Sequence, residues 1–370
     1  MSPTPRVEVD LAGIRHNARM LVAMLSPRGI SVTGVTKSVL GSPEIAAAIL
    51  AGGIRGLGDS RIENIERMRR AGITAPMTLI RSPMIGQVAL VVEHADASLN
   101  SEIQVIERLS AAAVSSGRTH GIVLMVELGD LREGIMPGDL AGVVRRTLTL
   151  PNLSLRGIGT NLACQSGASP SEDNMAELSA FATSIEAMFG ITLDVVSGGN
   201  SANLEWALGA ADTGRVDDLR LGEAVVLGVE PLHRRPLDGL RTDAFTLVAE
   251  VIESKVKPSV PRGELAQSAF GAVTPPRDRG PIRRTILAIG RQDIDPDGLR
   301  APPGVEVLGA SSDHLVVVDE RDRYPVGAEM AFGLDYGALV RAMTSPFVAK
   351  VLRDGAGQIS DSGMRSLSRG

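Results

Sequence analysis

ISVTGVTKSVLG, residues Ile30 to Gly41, is the stretch on which the reading of the fold turns. Ile30, Val32 and Val35, with small residues between them, predict a short buried strand that ends at Lys37. Ser42-Pro43-Glu44 then opens a helix: serine as cap, proline at the first helical position, an acid in the first turn. A lysine at the carboxyl end of a strand, just before a crossover helix, stands on the functional face of an α/β barrel. The chain has only four lysines, Lys37, Lys255, Lys257 and Lys350, among 38 basic residues. Arginine supplies positive charge elsewhere, so Lys37 points to a task a guanidinium cannot perform. A desolvated amine loses its proton and forms a Schiff base with an aldehyde, whereas arginine stays protonated. The competing reading is a lysine that snorkels from a strand end into water.

Outward from this stretch, strand and helix alternate. Val7 to Leu11 reads as a strand and Ala12 to Leu25 as an amphipathic helix. The helix after Ser42 closes at Gly52-Gly53. Ile54 to Gly58, Met77 to Ile80, Ala95 to Leu99, Gly121 to Leu128, Leu155 to Thr160, Leu193 to Ser197 and Leu219 to Leu221 read as further strands. Helices are expected at Arg61 to Arg70, at Ser101 to Ser116 with Ser101 as its cap, and at Ser171 to Phe189. About eight strand–helix repeats from Ile30 onward match the rhythm of a (β/α)8 TIM-type barrel, and a doubly wound sheet shares that rhythm. Near Leu232 the character changes. After the connector His233-Arg234-Arg235-Pro236, strands at Phe245 to Val256, Arg284 to Ala288, Val305 to Leu308 and Leu315 to Val318 alternate with turns such as Thr274-Pro275-Pro276. The expected organisation is a barrel over residues 1–232, with 1–11 available to pack with the second domain. A mostly β domain over 233–353 and a disordered tail over 354–370 follow.

Composition narrows the function. The 370 residues are 44% hydrophobic and 22% charged, ordinary values for a globular chain with two domains. A net charge of −5 with interspersed signs, and 2% aromatics, argue against a nucleic-acid groove or a polybasic membrane patch. One cysteine, Cys164, leaves neither an internal disulfide framework nor a cysteine-based zinc site. MSPTPRVEVD carries no apolar signal core and no apolar run has spanning length, so the cytoplasm is the expected compartment.

Several residues at strand ends carry chemistry. Ser197-Gly198-Gly199-Asn200-Ser201-Ala202 follows a strand and leads into a helix, so its glycines, the cap Ser201 and the free N–H groups suit a phosphate. A plain glycine turn with a serine cap is the alternative. Arg132, in the loop Gly129 to Gly134, suits a carboxylate or phenolate, or is a surface arginine. Arg220 sits inside the apolar strand Leu219 to Leu221 and needs a partner, for which Asp217 and Asp218 are the structural options. Asn161 follows the strand ending at Thr160, and Cys164 beyond it reads as a small buried hydrophobe. Asp313-His314 is either an acid/base pair or a solvated turn. The other histidines lack metal-ligand spacing, and no metal site is read. An amine, an anion cradle and two arginines on one barrel face together suggest an aldehyde cofactor that carries a phosphate.

The segments VEVDLAGIRHNARML, VTKSVLG, GDSRIENI, ELGDLREG, SGGNSANL, LRLGEAVVLG, KPSVPRGELAQSAFG, LGASSDHLVV and LDYGALVRAMTSP together resemble the alanine racemase superfamily of pyridoxal-phosphate enzymes, most closely its ornithine racemase-like branch. The likeness runs from Val7 to about Val351. It implies a barrel, a β domain and a head-to-tail homodimer whose active sites lie between subunits. By that resemblance Lys37 matches the lysine that holds the cofactor as a Schiff base. Asn200 and Ser201, with Gly222 and Glu223, match the phosphate cradle, and Tyr336 the phosphate-binding tyrosine. Arg220 matches the arginine at the pyridine nitrogen, and Arg132 the arginine near the phenolate.

Two departures stand out. Asn161 replaces a histidine beneath the ring, and Ser268 replaces the tyrosine that serves as second base in alanine racemase. Asp313 and His314 are the substitutes proposed from sequence, with Lys37 as the base on the other face. An ornithine-like side chain would want a carboxylate such as Glu223 or Asp335. The expected activity is racemisation of ornithine or another basic or broad set of amino acids. A decarboxylase or aldolase of the same fold, or a non-catalytic cofactor-binding protein, are the alternatives.

Overall fold

The computed structural model describes residues 3–271, 277–355 and 359–361, in two compact units. One unit spans Gly13–Thr242; the other joins Met1–Ala12 to Asp243–Gly370. After β1 (Arg6–Asp10) come eight strands: β2 (Ser31–Val35), β3 (Gly56–Asp59), β4 (Met77–Leu79), β5 (Ala97–Asn100), β6 (His120–Met125), β7 (Leu153–Gly159), β8 (Val195–Gly199) and β9 (Asp218–Leu221). Each pairs in parallel with the next, and β2 pairs with β9, so the sheet closes into a barrel. Closure leaves no edge strand and settles the choice between barrel and open sheet. The barrel interior is packed: Leu99, Val123 and Met125 form a buried cluster with Ile80 and Val195 against it. Gly157 is required there, because a Cβ at that position would fall 1.9 Å from the Val195 carbonyl oxygen.

Most helices stand where the period predicts them, and their caps explain the boundaries. Pro43–Ala51 starts at Ser42, whose Oγ accepts the Ile45 N–H. Glu172–Phe189 starts with a capping box between Ser171 and Asn174. Ile103–Ser116 differs from expectation: Glu102, not Ser101, holds the cap position and makes no side-chain cap bond. Two short helices, Val88–His94 and Leu140–Leu148, were not legible as periodic segments.

The second unit is a mixed, mostly antiparallel sheet. β10 (Phe245–Pro258), β11 (Pro281–Leu287), β12 (Leu299–Arg300), β13 (Val305–Ala310), β14 (Leu315–Asp319), β15 (Glu329–Leu334), β16 (Ala349–Arg353) and β17 (Ile359–Asp361) join β1. β1 lies between β10, antiparallel, and β16, parallel, so the first strand of the chain completes the last domain. Among the described residues one α-helix, Tyr336–Thr344, interrupts the β pattern, capped by Asp335.

The division between units falls at Thr242, beyond the break read near Leu232, because residues 233–242 return to the barrel. Leu237 N–H donates to the Gly228 carbonyl at 2.9 Å. His16 Nε2 meets the Gly239 carbonyl at 2.7 Å, and Arg241 N–H donates to Asn17 Oδ1 at 2.6 Å. Within 354–370, read as a disordered tail, Ile359–Asp361 pair with β16. Residues 356–358 and 362–370, and the turn Thr274-Pro275-Pro276, lie outside the described residues.

Candidate active site

The site is built from the carboxyl ends of the barrel strands. Lys37 begins a single turn of 3-10 helix directly after β2. Both ends of this turn are pinned. At the near end, Thr36 N–H donates to the Gly58 carbonyl and Thr36 Oγ1 donates to Asp59 Oδ2, at 2.9 and 2.7 Å. At the far end Leu40 takes a left-handed conformation, φ 55°, and Arg67 donates to its carbonyl. The Lys37 side chain is exposed, and among the described residues its ammonium has no hydrogen bond or ion pair. Asp59, wholly buried, also accepts Arg61 N–H and Asn64 Nδ2 at 2.9 and 3.0 Å. Burial pushes its carboxyl up from the usual range, opposed by these hydrogen bonds and by the Lys37 charge.

The glycine-rich loop after β8 is held by asparagines. Asn200 Oδ1 caps the next turn by accepting Ala202 N–H at 2.8 Å, and Asn203 Nδ2 donates to the Gly198 carbonyl at 2.9 Å. Gly199 has φ 146°, and a Cβ there would fall 2.1 Å from Asn203 Oδ1. Asn200 Nδ2 reaches the loop after β7, donating to Asn161 Oδ1 and to the Leu162 carbonyl at 3.1 and 2.8 Å. Ser201, buried, accepts Ala224 N–H at 3.3 Å, which ties this loop to the turn at Gly222 and Glu223 after β9. Asn161, Asn200, Ser201, Gly222 and Glu223 are thus brought together. Glu223 takes an ion pair from Arg234 at 2.5 Å, so its carboxylate is already engaged.

Arg220 is buried, with Nη1 donating to Ser197 Oγ at 2.6 Å and Nη2 to the Thr160 carbonyl at 2.8 Å. Burial acts to lower its pKa; the nearby Asp218 opposes that. Arg132 is exposed. It makes a two-pronged pair with Glu133, which raises its pKa further. Cys164 is exposed, contrary to the reading of a buried hydrophobe. The N–H groups of Cys164, Gln165 and Ser166 wrap around buried Asp130, at 3.1, 3.0 and 3.2 Å, and the Cys164 sulfur lies 3.5 Å from Asn200 Nδ2. Asp130 is a residue that sequence reasoning missed; an acid beside a glycine in a strand-end loop was the available signal.

In the second unit, Asp313 and His314 form an exposed pair, Oδ1 to Nδ1 at 2.8 Å, in the turn between β13 and β14. Arg291 N–H donates to the Ser311 carbonyl, and the Arg291 guanidinium lies 5.4 Å from the Phe270 ring centroid. In a separate turn closed by Ser268 and Gly271, Ser268 Oγ accepts the Phe270 N–H at 3.2 Å. Arg291 thus touches both the 268–271 turn, through Phe270, and the loop that carries Asp313 and His314, through Ser311. Asp335 Oδ1 caps its helix by accepting Ala338 N–H at 2.9 Å, and Tyr336 is the first residue of that helix.

The donor set suits a phosphorylated aldehyde. An amine stands open at Lys37, and Asn161 Nδ2 is buried without a partner, a donor awaiting an acceptor. Among the described residues no three His, Cys, Asp or Glu gather as metal ligands, and no helix is long and apolar enough to cross a membrane.

Comparison with known proteins agrees over nearly the whole length. The alanine racemase N-terminal domain family matches residues 9–230. The lysine racemase of Thermotoga maritima is 39% identical over 353 residues, 94% of this chain and 98% of that protein. The ornithine racemase of Acetoanaerobium sticklandii is 34% identical over 352 residues, covering 94% and 99%. The crystal structure of alanine racemase from a D-cycloserine-producing Streptomyces lavendulae superposes with a TM-score of 0.73 at 22% identity, over 96% of this chain and 98% of that one. Fold and relatives define a pyridoxal-phosphate enzyme of the barrel type. The chain belongs to the alanine racemase family, and its activity is amino-acid racemisation with pyridoxal 5'-phosphate as cofactor.

Proposed function

We propose that the substrate is a basic amino acid, lysine or ornithine, and that Lys37 is the residue that carries the cofactor. The observation behind the cofactor role is the open amine of Lys37 on a turn pinned at both ends. The substrate class rests on the two relatives that span the chain, one a lysine racemase and one an ornithine racemase. When bound, pyridoxal phosphate supplies an aldehyde for the substrate amine and a ring that spreads the charge left by the departing α-proton.

The chain's own residues do the rest. Ser201, Asn200 and Gly222, with the backbone of the turn at Glu223, hold the phosphate. Arg220 faces the ring nitrogen; as a permanent cation it donates there and cannot deliver a proton. Asn161 offers its free Nδ2 beneath the ring, and Arg132, steadied by Glu133, lies near the phenolate. Lys37 Nζ moves the proton on one face of the α-carbon. For the second base our candidate by chemistry is the Asp313–His314 pair: a carboxylate on Nδ1 fixes the imidazole with Nε2 available as base. Ser268, with its high hydroxyl pKa, is a poor substitute. The same reading includes a homodimer and the cytoplasm; a single cysteine places no demand on an oxidising compartment.

The test is incubation with single L-lysine, L-ornithine and L-alanine in deuterated buffer. Loss of optical rotation with α-deuterium uptake, fastest for the basic pair, supports the reading. Release of carbon dioxide or an aldehyde, or a preference for alanine, overturns it. Sedimentation should give a mass near twice 38.8 kDa.

A further inference from the structure

Arg220 stands on a polar column that runs through the barrel interior. Thr33 on β2, Asp218 and Arg220 on β9 and Ser197 on β8 form one chain of hydrogen bonds. Thr33 Oγ1 donates to Asp218 Oδ1 at 2.7 Å, Ser197 Oγ donates to Asp218 Oδ2, and Arg220 Nη1 donates to Ser197 Oγ at 2.6 Å. Asp218 and Arg220 are two residues apart on one strand and share a face, yet they make no direct ion pair. A carboxylate only accepts and a guanidinium only donates, so the Ser197 hydroxyl between them has a single orientation. The column has fixed polarity, negative at Asp218 and positive at Arg220.

Asp218, Ser197 and Arg220 are buried, with relative exposures of 7%, 3% and 6%, and Thr33 is partly so. A buried cation needs a counter-charge. The other charged or thiol groups facing Arg220 are Arg132 and Glu133 from the loop after β6 and Cys164 from the loop after β7. Arg132 and Glu133 pair with each other, which leaves Asp218 as the opposing charge for Arg220. Asp217, the other acid before Arg220, instead accepts Val196 N–H at 2.8 Å.

We propose that Asp218, acting through the Ser197 hydroxyl, is a positioning residue for the cofactor: it fixes the Arg220 guanidinium and neutralises its field at the ring. This rests on Arg220 facing the ring nitrogen. With the Asp218 charge removed, the ring meets an uncompensated cation, and any protonated form of the bound cofactor is disfavoured.

The experiment compares holoenzyme variants by the pH midpoint of the cofactor's visible absorption change and by the pyridoxal-phosphate dissociation constant. Asp218→Asn keeps the shape and an acceptor but removes the charge. It should lower the midpoint by about one pH unit and weaken binding about tenfold. Ser197→Ala should shift both in the same direction by less, and it carries the test if Asp218→Asn does not fold. In an Arg220→Gln background, Asp218→Asn should add nothing. Unchanged midpoints in the folded relay variants, or an equal shift in the Arg220→Gln background, overturn the relay. Arg220→Gln alone tests the reading beneath it: a wild-type midpoint and absorption maximum there mean that the guanidinium does not face the ring. If Arg220→Gln moves them and Asp218→Asn does not, only the relay falls.

Discussion

Lys37 illustrates how a single side chain is made available. Its turn is fixed by Thr36, Asp59 and Arg67, none of which spends its hydrogen bonds on the amine. Lys37→Ala should abolish the chromophore that borohydride fixes to the protein, and lower racemisation by a factor on the order of 10³ or more. Reduction followed by mass spectrometry checks the first, and optical rotation the second. Asp59 supports the turn from below, collecting donors from Thr36, Arg61 and Asn64 while fully buried. Asp59→Ala leaves those donors without their acceptor, and should cost roughly 3 kcal/mol in urea unfolding; Asp59→Asn, which keeps an acceptor, should cost less.

Single elements show where sequence patterns sufficed. The strand at Ser31–Val35, the capped helix after Ser42 and the capping box at Ser171 follow from residue types a few positions apart, so they were legible. Val88–His94 and Leu140–Leu148 were not, because seven to nine residues give two turns or so, too few for a clear period. The β8 loop lies between these cases. Its glycines were visible, but the reason for Gly199 is Asn203 Oδ1, which occupies the space a Cβ would need. Gly199→Ala should destabilise the protein by about 2 kcal/mol and weaken cofactor binding, as followed by thermal melting and fluorescence titration. A variant of wild-type stability and affinity would show that the loop relaxes at no cost.

At the scale of the whole molecule, the barrel buries groups that then tie stability to pH. His120, wholly buried with Nε2 at 2.8 Å from Ser98 Oγ, has its pKa pushed down to about 4 by burial. The unfolded chain protonates this histidine near its ordinary 6.5, so below that pH it binds a proton the native state refuses. Its contribution is present in full above about pH 6.5 and is lost as pH falls toward 4, by about 3 kcal/mol across the window. Urea unfolding at a series of pH values should show this slope, and His120→Gln should flatten it. A slope unchanged by the substitution would assign the acid sensitivity to other groups.

What the sequence determined by itself is local or periodic. It gave the alternation of strand and helix, the lysine at a strand end, the cradle of Ser197 to Ala202 and the arginine lodged in an apolar strand. These depend on side-chain type and on spacing along one chain segment, which a single sequence displays. Tertiary structure alone decided what depends on segments far apart in the chain. Closure of β2 on β9 settled the barrel over the open sheet, and β1 joined the last domain through its pairing with β16. Closure also set Asp218 against Ser197 and Thr33 on the neighbouring strands, so that Arg220 is linked to its acid through a hydroxyl and not by direct contact. A hydrogen bond needs atoms within about 3 Å, and only the closed barrel brings those strands that near.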